Sequence, residues 1–199
     1  ANLVLSLALE ASSAGRSISL IKKAAESAAR VVSALRSYSW EGGGELRPVD
    51  IAAQLGNVCT IMRDKLKRGY DLRIDIPPGL YAMADPDRLS QVWINLINNA
   101  LQAMGTRGTL SIRGEKRDGA IRVAIQDDGP GIPPDIGPTI FEPFFTTKAQ
   151  GEGTGLGLDI CRRIVSTAGG RIHFESVPGA TTFYVELPCA EAAGARQDA

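Results

Sequence analysis

The chain has 199 residues, of which 44% are hydrophobic and 22% charged, the composition of an ordinary globular protein. Its 22 basic and 22 acidic residues leave a formal net charge of zero, so bulk charge gives no reason to expect a nucleic-acid partner. No apolar run approaches the ~18 residues of a membrane span, and the apolar N-terminus lacks the basic segment of a signal peptide. Three scattered cysteines, Cys59, Cys161 and Cys189, read as free thiols of a reducing compartment. One histidine, His173, excludes a multi-histidine metal site.

Taken in chain order, residues 1–40 read as a helical hairpin. Ile18, Ile21, Ala25, Ala28, Val32 and Leu35 step by three and four, the seam of a helical bundle. A hairpin of that size calls for a second chain, so a homodimer is expected through it. Glu41-Gly42-Gly43-Gly44 breaks the pattern, and 41–49 is expected to be a linker. Pro48-Val49-Asp50 then reads as the start of a helix to about Arg68, with Gly69 as its C-cap. Alternation over Asp71–Ile76 and Tyr81–Ala84 predicts two strands. Asp85-Pro86-Asp87 opens a long helix to Met104. Thr109–Arg113 and Ala120–Gln126 read as a hairpin, and 128–154 as a glycine-rich loop region. Gly155–Ala168 reads as a helix, followed by a hairpin of Arg171–Ser176 and Thr181–Leu187. The expected fold class is α+β: a mixed, mostly antiparallel sheet with helices on one face, behind a helical hairpin. The domain proper spans 50–188 and a frayed tail 189–199.

Four segments carry chemistry. Asn95, Asn98 and Asn99 lie in the long helix, where asparagine is a poor helix former. Such amides either face solvent or ligate Mg²⁺ and orient phosphates. Asp127-Asp128-Gly129-Pro130-Gly131 follows a strand; its glycines admit close backbone approach, and its aspartate can accept from an exocyclic amine. Phe141-Glu142-Pro143-Phe144-Phe145-Thr146-Thr147-Lys148 reads either as a packed loop or as an aromatic-anchored lid. Gly151-Glu152-Gly153-Thr154-Gly155-Leu156-Gly157-Leu158 opens a helix, a natural anion site. It is not a P-loop, because no Gly-Lys-Ser/Thr follows.

In this order and spacing the four segments resemble the N box, first glycine box, F box and second glycine box of bacterial sensor histidine kinases. These belong with the Bergerat-fold ATPases, and the resemblance covers about residues 46–188. It implies a Bergerat-type two-layer sandwich with ATP and Mg²⁺ as cofactors. It implies that Asn99 ligates Mg²⁺, that Asn95 stands beside it on the same face, and that Asp127 reads the adenine amine. Gly129 and Gly131 would let the base lie against backbone. Lys148 and Thr147 would meet the terminal phosphates. Gly153, Gly155, Leu156 and Gly157 would form the lid hinge and phosphate cradle. The resemblance assigns catalysis to Asn95, Asn99 and Lys148. Hydrolytic relatives carry a glutamate base at the position of Asn95; a neutral amide cannot take a proton from water, so ATP is expected to act as a phosphoryl donor. Asp128 departs from the common asparagine and receives no role.

Residues 16–40 resemble the second helix of the family's dimerisation and phosphotransfer domain. The acceptor histidine of the first helix is absent, and His173 reads as a strand residue. The expectation is a chain cut shortly after that acceptor. The implied partner is a response-regulator receiver domain, and the implied location is cytoplasmic, with a membrane tether left open for the full-length protein. The alternatives are an anti-sigma-type serine kinase and a non-catalytic docking scaffold of the same fold.

Overall fold

A computed structural model describes residues 44–67, 69–148 and 153–191. The expected helical hairpin, Arg68, part of the second glycine box and most of the tail lie outside the described residues. The chain enters through β1 (Arg47–Asp50), which pairs antiparallel with β3 (Tyr81–Ala84). This corrects the reading of Pro48 as a helix start. Asp50 is the true N-cap: its side chain accepts from the Ala53 amide at 3.0 Å, so α1 (Ile51–Ile61) begins after it. Pro48 is tolerated because it sits in a two-stranded ribbon, where only one neighbour needs its backbone. Arg47, Pro48 and Val49 are thus strand and not linker. The helix breaks at Met62 and a single turn follows, α2 (Arg63–Leu66).

The main sheet has five strands in the order β2-β4-β5-β7-β6. They are β2 (Tyr70–Asp75), β4 (Gly108–Arg117), β5 (Ala120–Asp127), β6 (Arg171–Val177) and β7 (Ala180–Pro188). Only the β2–β4 pair is parallel, since the long helix α3 (Pro86–Met104) intervenes and returns the chain in the same direction. β4–β5 and β6–β7 are the expected hairpins. Asp85 caps α3 by accepting from the Asp87 and Arg88 amides at 3.0 and 3.2 Å, with Pro86 in the first turn. α4 (Gly157–Thr167) packs beside α3.

Alternation along β5 turns Ile121, Val123, Ile125 and Asp127 inward. They meet Leu110, Ile112, Phe183, Val185 and Leu187 from the neighbouring strands and Leu89, Val92, Trp93, Leu96 and Ile97 from α3. A polar link crosses this core: the fully buried Trp93 indole donates to Gln54 Oε1 at 2.8 Å, and Gln54 donates to the Pro86 carbonyl at 2.6 Å. The other face of the sheet is polar. There Glu186 accepts from Arg122 at 2.7 Å and Arg171 at 2.9 Å, and His173 stacks on Tyr184 with ring centroids 4.9 Å apart. This is the expected mixed sheet with helices on one face. At the far end, the Ala190 amide donates to the Tyr81 carbonyl, so the first tail residues extend the β3 ribbon.

Candidate functional site

The site lies where the C-terminal half of α3 passes the end of β5. An open cleft of about 640 Å³ runs between α3, the loop after β5, the F-box loop and the start of α4. That is the size of a small-ligand site. Asn99, Asp127, Gly131, Thr147, Lys148, Gly153, Gly155 and Gly157 all line it. Segments far apart in sequence thus converge on one space.

The three asparagines of α3 serve different ends. Asn99 faces the cleft. Asn98, one residue earlier and turned away, accepts from Lys65 at 3.1 Å. Asn95 shares the side of Asn99 but lies behind the cleft. Its amide donates to the Gly157 carbonyl at 3.3 Å, and the nearby Cys161 thiol donates to the Val92 carbonyl of α3 at 3.8 Å. A glutamate here would set a carboxylate against the Gly157 carbonyl, acceptor against acceptor. Asn95 therefore ties α3 to the first turn of α4. Complete burial pushes the Cys161 thiol up to about 12, so it stays protonated.

Asp127 closes β5 and is 4% exposed. Its Oδ1 accepts from the Gly129 amide at 3.0 Å. Oδ2 has no protein partner among the described residues, and the side chain lines the cleft. Burial pushes this carboxyl above its ordinary range; the Gly129 hydrogen bond opposes that and the nearby Asp128 charge adds to it. Asp128, which the sequence left without a role, is structural. Its Oδ2 accepts from the Thr109 amide at 2.9 Å and binds the loop to the start of β4.

The glycines of the first box are explained by protein packing. Gly131 takes φ 88°, and a Cβ there would stand 2.9 Å from the Val177 carbonyl. The Gly129 carbonyl accepts from the Gly179 amide at 3.0 Å, which locks this loop onto the β6–β7 turn. Gly129 itself is not on the cleft wall; it braces Asp127 from behind.

In the F box, Phe141 packs against Phe174 and Phe183, with ring centroids 6.2 and 6.4 Å apart. Phe145 lines the cleft, whereas Phe144 is 69% exposed at φ 66°. The aromatic anchor is thus two residues deep, not three. Gly155 (φ 67°) passes so close to Phe144 that a Cβ would collide with its backbone. Lys148 reaches back across the cleft, 3.5 Å from Asn99 Oδ1, and donates to Gln102 Oε1. Desolvation lowers the Lys148 pKa.

α4 starts at Gly157 with no side-chain cap, and Leu156 precedes it. Its first turn opens on the cleft through Gly157 and Leu158, with Gly155 just before the helix, so its backbone N–H groups and positive dipole end are presented there. Leu156 does not line the cleft; it is buried with Ile160 along α4.

Gln102 and Thr181 are among the cleft residues that sequence reasoning missed, as are the apolar side chains of its wall. Gln102 was findable, since it follows Asn99 by three positions on the same helix. Thr181 was not: it reaches the cleft because β7 pairs it opposite Asp127, and its hydroxyl meets Ser176 Oγ at 2.9 Å. The apolar wall comes from Ile132, Ile136, Ile140 and Phe183.

Among the described residues no cluster of three or more His, Cys, Asp or Glu could hold a metal ion. A hard cation fits the Asn99 oxygen together with ligand phosphates, which is how Mg²⁺ is ordinarily held in nucleotide sites. No described helix is long and apolar enough to cross a membrane.

Residues 84–191 match the family described as histidine kinase-, DNA gyrase B-, and HSP90-like ATPase. The chain is 36% identical over 178 residues to the C4-dicarboxylate transport sensor protein DctB of Rhizobium meliloti (strain 1021), covering 87% of this chain and 28% of the relative. It is 38% identical over 143 residues to the sensory histidine kinase/phosphatase NtrB of Escherichia coli O157:H7, covering 66% of this chain and 40% of the relative. The chain therefore spans well under half the length of these curated relatives. Among solved structures, the catalytic domain of histidine kinase ThkA superposes with a TM-score of 0.67 at 36% identity, over 72% of this chain and 95% of that one. ThkA in complex with response regulator protein TrrA gives a TM-score of 0.73 at 30% identity, over 86% and 50%. Full-length ShkA in complex with AMPPNP gives 0.70 at 30% identity, over 81% and 35%. The chain belongs to the histidine kinase-, DNA gyrase B- and HSP90-like ATPase family, and within it to the sensor histidine kinases.

Proposed function

We propose that the cleft binds MgATP and presents its γ-phosphoryl group to a histidine of the dimerisation and phosphotransfer domain. The observation that carries this reading is the convergence on one cleft of Asn99, Lys148, the uncapped start of α4 and the buried Asp127. Asp127 Oδ2 accepts from the adenine amine, while Ile132, Ile136 and Phe183 cover the base. The amides at the start of α4, with Gly153 and Gly155, cradle the phosphates. Asn99 supplies the protein oxygen for Mg²⁺, which when bound neutralises phosphate charge. Lys148 and Thr147 meet the terminal phosphate. Catalysis is then positioning and charge neutralisation. The imidazole nitrogen forms the new N–P bond, and the bond to the β-phosphate oxygen breaks with its electrons leaving on ADP. Asn95 acts by holding α4 in place, and it offers no base to activate water.

The phosphoryl group then passes to an aspartate of a response-regulator receiver domain, the class of partner named in the ThkA complex. A homodimer through residues 1–40 and a cytoplasmic location complete the proposal, with residues 50–188 as the catalytic unit. NtrB and ThkA are named as histidine kinases, which weighs against the serine-kinase and scaffold readings. The test is γ-labelled ATP with Mg²⁺ and the full-length protein. Label that acid removes and alkali leaves in place supports phosphohistidine; acid-stable label on a serine contradicts it.

A further inference from the structure

Lys148 closes the F-box segment Phe141-Glu142-Pro143-Phe144-Phe145-Thr146-Thr147-Lys148. Its ammonium makes two contacts with α3: Asn99 Oδ1 at 3.5 Å and the hydrogen bond to Gln102 Oε1. Asn99 and Gln102 are three residues apart, so both oxygens project from one helix face into the cleft. Both acceptors are neutral amides, and among the described residues no carboxylate lies within ion-pair distance of Lys148. An amide oxygen suits an ammonium and a hard divalent cation equally. It does not serve both at once, because two positive charges would then stand side by side at one oxygen.

We propose that Gln102 is a positioning residue which, together with Asn99, seats the Lys148 ammonium where the metal is to be held, so that loading of the magnesium nucleotide requires the lysine to leave its seat and turn to the phosphates. The inference rests on the functional reading of Asn99 and Lys148 above. It adds a coupling: the seated and metal-bound arrangements exclude each other, and the seated one lowers apparent nucleotide affinity by the fraction of chains that occupy it. Gln102 makes the coupling adjustable, because it holds the lysine without being the proposed metal ligand.

The test is Gln102→Met, which keeps side-chain length and removes the acceptor. Gln102 is exposed, so the fold tolerates the change. A fluorescent ATP analogue with Mg²⁺ is titrated into the wild type, Gln102→Met, Lys148→Met and the double variant. The expected result is binding roughly three- to tenfold tighter in Gln102→Met, the equivalent of one net hydrogen bond lost from the competing state. In the Lys148→Met background the same change should have no effect, because nothing is left to seat. Unchanged or weaker binding in Gln102→Met overturns the proposal, as does an equal effect in both backgrounds. Absence of magnesium-nucleotide binding by the wild type overturns the functional reading itself and this inference with it. A second readout needs no ligand: the Lys148 ammonium ¹⁵N signal should be protected from exchange in the wild type and lose that protection in Gln102→Met. Equal exchange in the two contradicts the seat.

Discussion

The amides of α3 show how one residue type divides its labour. Asn95, Asn98 and Asn99 differ only in angular position, about 100° per residue around the helix. That places Asn99 on the cleft, Asn98 against Lys65, and Asn95 against the Gly157 carbonyl. Asn95→Asp should destabilise the domain by about 1–3 kcal/mol, since it trades a donor for an acceptor facing a carbonyl. A urea midpoint equal to that of the wild type would contradict this. Asp127 is the other residue whose burial defines it. Asp127→Asn should leave the Gly129 contact possible but offer the base an amide in place of a carboxylate, reducing the preference for ATP over GTP; competition titrations measure it. At this scale the sequence is only partly legible. Helical spacing pairs Asn99 with Gln102 and separates it from Asn98. It says nothing of Asn95 and Gly157, which come together only when α4 docks. Thr181 stayed hidden for the same reason, because strand register brings it opposite Asp127.

Contacts between elements hold these residues in place. The first glycine box is held by the β6–β7 turn, and Gly131 stands at the contact. Gly131→Ala combines positive φ with a Cβ at 2.9 Å from a backbone oxygen, so a loss of about 1–3 kcal/mol and weaker nucleotide binding are expected. Wild-type melting behaviour would show that the loop has room to shift. The Trp93–Gln54–Pro86 link ties α1 to α3 through the core. Gln54→Leu leaves the buried indole N–H without its partner and should cost about 1–3 kcal/mol in denaturant unfolding. An unaffected midpoint would mean that water or a repacked neighbour satisfies it. The helices α3 and α4 and the two hairpins were legible because each announces itself locally, by an Asp-Pro start or a glycine turn. β1 was not. It is four residues long, contains a proline, and exists only because β3 arrives some thirty residues later to pair with it.

At the scale of the whole molecule, the polar face of the sheet carries a group that responds to pH. His173 lies on the polar face, stacked on Tyr184 and flanked by Arg122, Arg171, Glu175 and Glu186. Desolvation lowers its pKa, helped by the two arginines and opposed by the two glutamates. A histidine with a folded-state pKa below its unfolded value of about 6.5 binds its proton more tightly when unfolded. Its contribution is therefore fully present above that value and declines as pH falls below it. Thermal stability should drop more steeply between pH 7 and pH 5 in the wild type than in His173→Phe; parallel profiles would show that His173 is not the titrating group. The architecture as a whole was readable because the strand and helix order admits a mixed sheet with one covered face. The cleft was readable as a set of motifs and not as a geometry, since its walls come from five separate stretches of chain, one of them β7.

The role of the cleft is tested most directly by calorimetric titration of ATP into this chain, with Mg²⁺ and with a chelator, for the wild type and Asn99→Ala. Mg²⁺ should strengthen ATP binding to the wild type, and this gain should be lost in Asn99→Ala, while its melting temperature stays near that of the wild type. ATP binding that is absent, or that responds to Mg²⁺ equally in both proteins, would contradict the assignment of the cleft.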